Sequence, residues 1–212
     1  MVSFYQAILD WVFEDEEIGL VIKPKKSHFL DDLPGIKNQI NELKDHTKRV
    51  VLIENAWGRM PISYLNGIDM VVGISGFFPS AVVECVVHGA RAMFYDYFNM
   101  SHHEVDFYQW AENKVTFPNL NEMVSAVKAY KNDPSGNPLL GDWSGHLDEL
   151  EPFRDSQGGE RIGTYMNWLQ GGYKAGQDRD DIIERSNRKY AECWGVDKIY
   201  LGNSTKVTKN NA

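Results

Sequence analysis

The stretch GISGFFPSAVVECVVHGARAMFYD, residues 73–96, carries the reading of the fold. An apolar run over 68–74 meets Ser75-Gly76, a helical pattern opens near Pro79-Ser80, and Gly89 closes it. A second apolar run, Ala92-Met93-Phe94-Tyr95, follows at once. Strand, helix, strand in so short a span predicts a parallel crossover unit. The helix reads Ala81-Val82-Val83-Glu84-Cys85-Val86-Val87, and a helix apolar nearly all round is normally buried. Burying an unpartnered carboxylate is costly. Glu84 is therefore expected either to be paired inside the fold or to point at a ligand.

The same alternation extends outward. Residues 4–13 have apolar side chains at helical spacing (Phe4, Ala7, Ile8, Trp11, Val12), and 19–23 is a compact apolar run stopped by Pro24. Residues 36–43 are helical in spacing, 50–53 form the next apolar run, and Pro61 opens a short helix to Leu65. A strand over 115–117 and a helix over 120–130 complete the series. Continuously apolar strands separated by helices predict an α/β fold, a doubly wound parallel sheet covered on both faces. Beyond Asp133 the texture turns to Pro, Gly, Asp and Trp, which predicts a loop and then helices near 159–170 and 178–193. The last has acidic residues in its first turn and Gly195 past its end. The expected organisation is a Rossmann-like sheet domain over 1–133, a loop and helical tail packing on it over 134–202, and a flexible end over 203–212. Trp143, Trp168 and Trp194 are expected to pack the tail on the sheet. Asp155 and Arg161 read as capping and surface charges.

Composition narrows the function. The chain has 212 residues, 42% apolar and 25% charged, enough for a real core. A net charge of −8 argues against a nucleic-acid binder, which would present a basic face. No apolar run approaches the ~20 residues that span a bilayer, and Met1-Val2-Ser3-Phe4-Tyr5 lacks the basic start of a signal peptide. Cys85 and Cys193 stand far apart, so a reduced, cytoplasmic protein is expected.

In open parallel sheets, ligands sit at the carboxyl ends of the strands. The strand ending at Ser75-Gly76 leads into a helix start, where free backbone N–H groups favour an anion. Gly76 lets a ligand approach the backbone, and the hydroxyls of Ser75 and Ser80 add hydrogen bonds. Glu84, one turn further in, does not favour a phosphate but accepts from sugar hydroxyls. The bland alternative pairs Glu84 with His88 at i+4 or with a neighbouring strand. No Gly-Lys-Ser/Thr follows the strand, and Gly73 and Gly76 lack the dinucleotide-binding spacing, which excludes P-loop and Rossmann oxidoreductase readings. His102-His103-Glu104 reads as a solvated or substrate-facing loop, because adjacent histidines in a strand point opposite ways. Tyr95, Asp96 and His103 are candidates to meet a sugar, with aromatic packing as the competing account. No residue is assigned as catalytic and no metal site is expected.

The segment IDMVVGISGFFPSAVVECVVHGARAMFYD resembles the donor-site segment in the C-terminal half of GT-B glycosyltransferases, with Asp69, Ser75-Gly76, Ser80, Glu84 and Gly89 matching. It departs at Arg91-Ala92, where a Lys/Arg-Pro pair is usual. VVLIENAWGRMPISYLNGID is similar to the approach to that strand, and LVIKPKKSHF to an earlier family strand, with His28 displaced. LEPFRDSQGGERIGTYMNWL is similar to the tail of capsule and surface-polysaccharide transferases. The resemblance spans residues 18–170. It implies a Rossmann-like, GT-B C-terminal half in which Ser75, Gly76 and Ser80 meet the donor diphosphate. By the same resemblance, Glu84 holds the ribose, Lys23 lies near the phosphates, and Asn55 in the 54–57 loop lies by the base. The implied substrate is a nucleotide-diphosphate sugar, with no metal cofactor required. The acceptor domain would come from a separate subunit or another part of a longer chain. A nucleotide-sugar 2-epimerase, a CDP-polyol phosphotransferase-like half and a non-catalytic nucleotide-binding module are the alternatives.

Overall fold

The structure is a computed structural model that describes residues 1–54, 60–75, 80–99 and 110–198, less the side chains of Ser27 and Ser75. Its contacts divide the chain into two compact units, Met1–Leu150 and a second beginning at Glu151.

In the first unit helices and strands alternate: α1 (Val2–Glu14), β1 (Leu20–Ile22), α2 (Pro34–Thr47), β2 (Val50–Leu52), β3 (Val71–Ser75), α3 (Ser80–Val87), β4 (Ala92–Asp96), β5 (Thr116–Phe117), α4 (Leu120–Asn132) and α5 (Leu147–Leu150). Their starts follow local chemistry. Pro34 stands at the first turn of α2, where its missing N–H costs nothing. Asn119 caps α4, its side chain accepting from the N–H groups of Asn121 and Glu122. Arg49, just before β2, ties off the end of α1 through Nη1, which donates to the carbonyls of Val12, Asp15 and Ile18 at 2.8–2.9 Å. Strand β3 starts at Val71 rather than Ile68, because Ile68 N–H is still held by the Leu65 carbonyl in a turn through Gly67 (φ +79°).

Among the described residues all strand pairs are parallel. β1 pairs with β2, Ile22 opposite Leu52, and β3–β4–β5 form a second ladder with Ser75 opposite Asp96. Among the described residues no ladder joins β1 to β3. The period-2 alternation of β4 sorts its side chains onto two faces. Ala92 and Phe94 pack with Val82 and Val86 of α3, Val115 and Trp143. Met93 packs with Phe4 of α1, Phe117, Met123 and Val127 of α4, and Leu140. The β1–β2 pair is buried on one face only. Leu20, Ile22 and Val50 meet Leu9, Val12, Ile36, Ile40 and Leu43, whereas Val21 and Val51 remain exposed. The expectation that every strand is covered twice holds for β4 and fails for β1 and β2. Trp143 does pack on the sheet: its Nε1–H donates to the Ala92 carbonyl at 2.7 Å, and its side chain is buried.

Between α4 and the end of α1, Lys131 Nζ reaches Asp15 at 2.6 Å and Glu17 at 2.8 Å. The Lys131 hydrogen bond holds Asp15 below its usual 3.8. The Asp15 bond in turn holds Lys131 above its usual 10.5. The stability Asp15 lends is therefore present above pH 4 and lost as pH falls through its lowered value. That of Lys131 is complete below its ordinary value and lost as pH rises through the raised one. In melting curves from pH 2 to 9, Lys131→Met is expected to lie below the parent by a constant margin above pH 5. The two curves should converge in acid. A gap that persists at pH 2 would mean the lysine acts by packing its stem, not by charge.

Among the described residues the second unit contains two α-helices, α6 (Gly158–Lys174) and α7 (Arg179–Trp194). Asp178 caps α7 at the N–H of Asp180, and Gly195 (φ +101°) ends it. The helices approach closely at Gly172, where a Cβ would lie 2.6 Å from Ile182. Trp168 and Trp194 stack at 5.6 Å, and Tyr165 donates to Asn187 at 2.7 Å. Arg161 is not the surface charge its sequence context predicts. It is 6% exposed, paired with Asp155 and stacked on the Phe153 ring 3.5 Å away. A planar guanidinium lends itself to this because its faces are weakly hydrated and stack on rings; Nη2 meets Asp155, while Nε and Nη1 are buried with no hydrogen-bond partner among the described residues. The Arg161 hydrogen bond, with the Gln157 N–H second, holds Asp155 below the usual carboxylate range.

Among the described residues, no helix is long and apolar enough to cross a membrane.

Candidate functional site

The parallel ladders set the carboxyl ends of β3 and β4 side by side at Ser75 and Asp96. α3 begins five residues beyond Ser75, with Ser80 its first, exposed residue. Only a stripe of α3 is buried: Val82, Cys85 and Val86, at i, i+3 and i+4. Glu84 lies beside that stripe, half-buried. The helix is thus amphipathic and not surrounded, and the carboxylate sits at the margin of the core.

Its partner is a backbone amide. Oε1 of Glu84 accepts from the Ile62 N–H at 3.5 Å, a long bond at the first turn of a 3₁₀ helix over Pro61–Tyr64. The expected i+4 contact with His88 also forms, but through the other end of the residue: His88 Nδ1 meets the Glu84 carbonyl at 2.8 Å. Among the described residues the carboxylate therefore has one weak bond, and a carboxylate has lone pairs for several more. It is neither a fully paired core charge nor a free surface one.

Lys23 is the first residue past β1, half-buried, and among the described residues it makes no ion pair. Its charge reaches the same place as that of Glu84, as Cys85 shows. Burial pushes the Cys85 thiol up to about 11, the Glu84 carboxylate adds to the rise, and the Lys23 ammonium opposes it. Lys23, from the end of β1, and Glu84, from α3, thus act on one neighbourhood. Because a thiol reacts as its thiolate, Cys85 is expected to be inert in the folded chain at pH 8, while the exposed Cys193 is alkylated. Counting iodoacetamide adducts by mass should give one on the native protein and two after denaturation. A second adduct forming natively at a similar rate would show that Cys85 is open to solvent.

Of the residues singled out in the sequence, Lys23 directly follows β1, Ser80 is the first residue of α3 and Glu84 lies one turn into that helix. Ser75 has its backbone at the end of β3. Asn55 and Gly76 lie outside the described residues, as do the Ser75 side chain and His102-His103-Glu104. Among the described residues, no group of three or more His, Cys, Asp or Glu is arranged to hold a metal. Asp96, already a candidate in the sequence, is one of few buried charged residues among those described. It is 1% exposed at the end of β4, and its position after four apolar residues was the available signal. The amide of Ile62 had no signal at all, because any non-proline residue carries one.

No protein-family model, curated protein or solved structure matches the chain. The functional reading therefore rests on these residues and their geometry.

Proposed function

We infer that the chain is the donor-binding half of a GT-B glycosyltransferase, binding a nucleotide-diphosphate sugar for surface or capsular polysaccharide synthesis in the cytoplasm. An acceptor domain from elsewhere would complete it. In this reading the two ladders are parts of one doubly wound, Rossmann-like sheet ordered β2–β1–β3–β4–β5. Helix α1 supports that order, since it packs its Leu9 and Val12 in the core of the first ladder and its Phe4 in that of the second.

The observation that carries the reading is Glu84, half-buried on α3 one turn past its start and held, among the described residues, by a single long bond. A ribose diol supplies two O–H donors to such an acceptor. The diphosphate falls at Ser75, Gly76 and Ser80, where helix-start amides face it, and Lys23 adds a positive charge. By the family resemblance, Asn55 would meet the base. The chemistry such a site assists is departure of the nucleoside diphosphate from the anomeric carbon, its growing charge met by amides and cation.

Glu84→Gln keeps the shape and removes the charge. Titration calorimetry of the parent with UDP, GDP and CDP should find one that binds. The variant should bind it about tenfold more weakly, a loss of about 1.4 kcal/mol, with an unchanged melting temperature. Equal affinity in both proteins would leave Glu84 as the anchor of the 3₁₀ helix alone and remove the main support for the reading.

A further inference from the structure

Two large aromatic rings stand in solvent at the same edge of the sheet. Tyr97 is 44% and Phe98 64% exposed, directly after β4. Leaving such rings in water forfeits apolar burial, and here the chain holds them out. Tyr97 N–H bonds the Tyr95 carbonyl at 3.1 Å, Asn99 N–H bonds the Asp96 carbonyl at 3.1 Å, and Asn99 turns the chain at φ 53°. The buried Asp96 anchors the start of this turn. The rings are also braced from below. Phe98 meets Tyr97 edge-on at 4.9 Å, Tyr97 meets Tyr95 edge-on at 6.0 Å, and Tyr95 stacks at 6.4 Å on Phe4, which is buried. A run of rings thus leads from the core to the ligand edge.

Resting on the donor-site reading above, we propose that Tyr97 and Phe98 form the stacking platform for the sugar ring of the nucleotide sugar. Asp96 lies opposite Ser75, and neighbouring strands are about 4.8 Å apart. Two further residues at about 3.3 Å each place Phe98 within roughly 10 Å of the phosphate turn. A pyranose has a C–H face and a rim of hydroxyls, and an aromatic ring takes the apolar face without needing a buried polar partner. The pair therefore contributes to recognising the sugar and not the nucleotide.

The test compares the full chain with Phe98→Ala and Tyr97→Ala/Phe98→Ala by calorimetry. The probes are UDP, GDP and CDP, each beside its glucose or mannose conjugate. Both positions are exposed, so melting temperatures should stay near the parent's, and Phe98→Tyr should behave as the parent. The expected result is at least a fivefold loss for the nucleotide sugar in the double variant, with the matching diphosphate changed less than twofold. Equal losses for both would place the base or phosphate on the rings and overturn the proposal. No loss for either would leave the rings as a contact for another protein and overturn it too. If the parent binds no nucleotide at all, the donor-site reading itself falls, and this assignment with it.

Discussion

Trp143→Ala is expected to cost about 3–5 kcal/mol, as truncation of a buried tryptophan does. That is a large share of the 5–15 kcal/mol typical of a whole domain. Two losses combine. The indole is 2% exposed and fills the space over Ala92 and Phe94 on the α3 side of β4, beside Val82, Val86 and Val115. Its Nε1–H also satisfies the Ala92 carbonyl, which the alanine variant leaves buried without that donor. Trp143→Phe separates the terms: it keeps most of the volume and loses only the donor, at about 1–3 kcal/mol. Urea unfolding followed by far-ultraviolet circular dichroism should rank the three proteins in that order. If phenylalanine and alanine cost the same, the hydrogen bond dominates and the cavity collapses readily. If phenylalanine costs nothing, the bond to Ala92 adds nothing to stability.

The residue also shows what sequence can and cannot convey. The element series was legible because burial imposes a period: Phe4, Ile8 and Val12 mark a helix, and runs such as Ala92 to Tyr95 mark strands. Caps were legible at Asp178 and Gly195 because backbone chemistry restricts those positions. That strands β1 and β2 keep Val21 and Val51 in solvent was not legible, since a β-branched residue suits a strand whether its face is covered or open. The burial of Arg161 depends on the Phe153 ring eight residues away and a paired Asp155, and its charge alone points the other way. Near the candidate site, the sequence pattern located the end of β3 and the start of α3, and so the helical positions of Ser80 and Glu84. The partner of Glu84 is a main-chain group 22 residues distant, and main-chain groups leave no mark in a sequence.

Gly73→Val is the second large effect, and it links packing to the site. Gly73 is in β3 beneath α3, where a Cβ would lie 2.6 Å from Val82 Cγ2 and 3.7 Å from Phe94 Cβ. Valine in a helix has one strongly preferred rotamer, so Val82 has little room to swing aside and α3 itself must lift. Overpacking of this kind costs about 1–3 kcal/mol, and the two extra methyls of valine place this variant at the upper end. Val82→Ala alone should cost on the order of 1–2 kcal/mol through the cavity it leaves. Together the changes move volume from the helix to the strand, so the double variant should be more stable than the sum of the singles by at least about 1 kcal/mol. Lifting α3 also carries Glu84, two residues beyond Val82, away from the Ile62 amide and from the end of β3. Gly73→Val should therefore weaken nucleotide binding even at temperatures where it is fully folded, and Val82→Ala should restore part of that affinity. Unfolding in urea gives the first cycle and calorimetry the second. Additive stabilities would mean that the strand, not the helix, yields. An undiminished affinity in folded Gly73→Val would mean that the seat of α3 on β3 does not set the site.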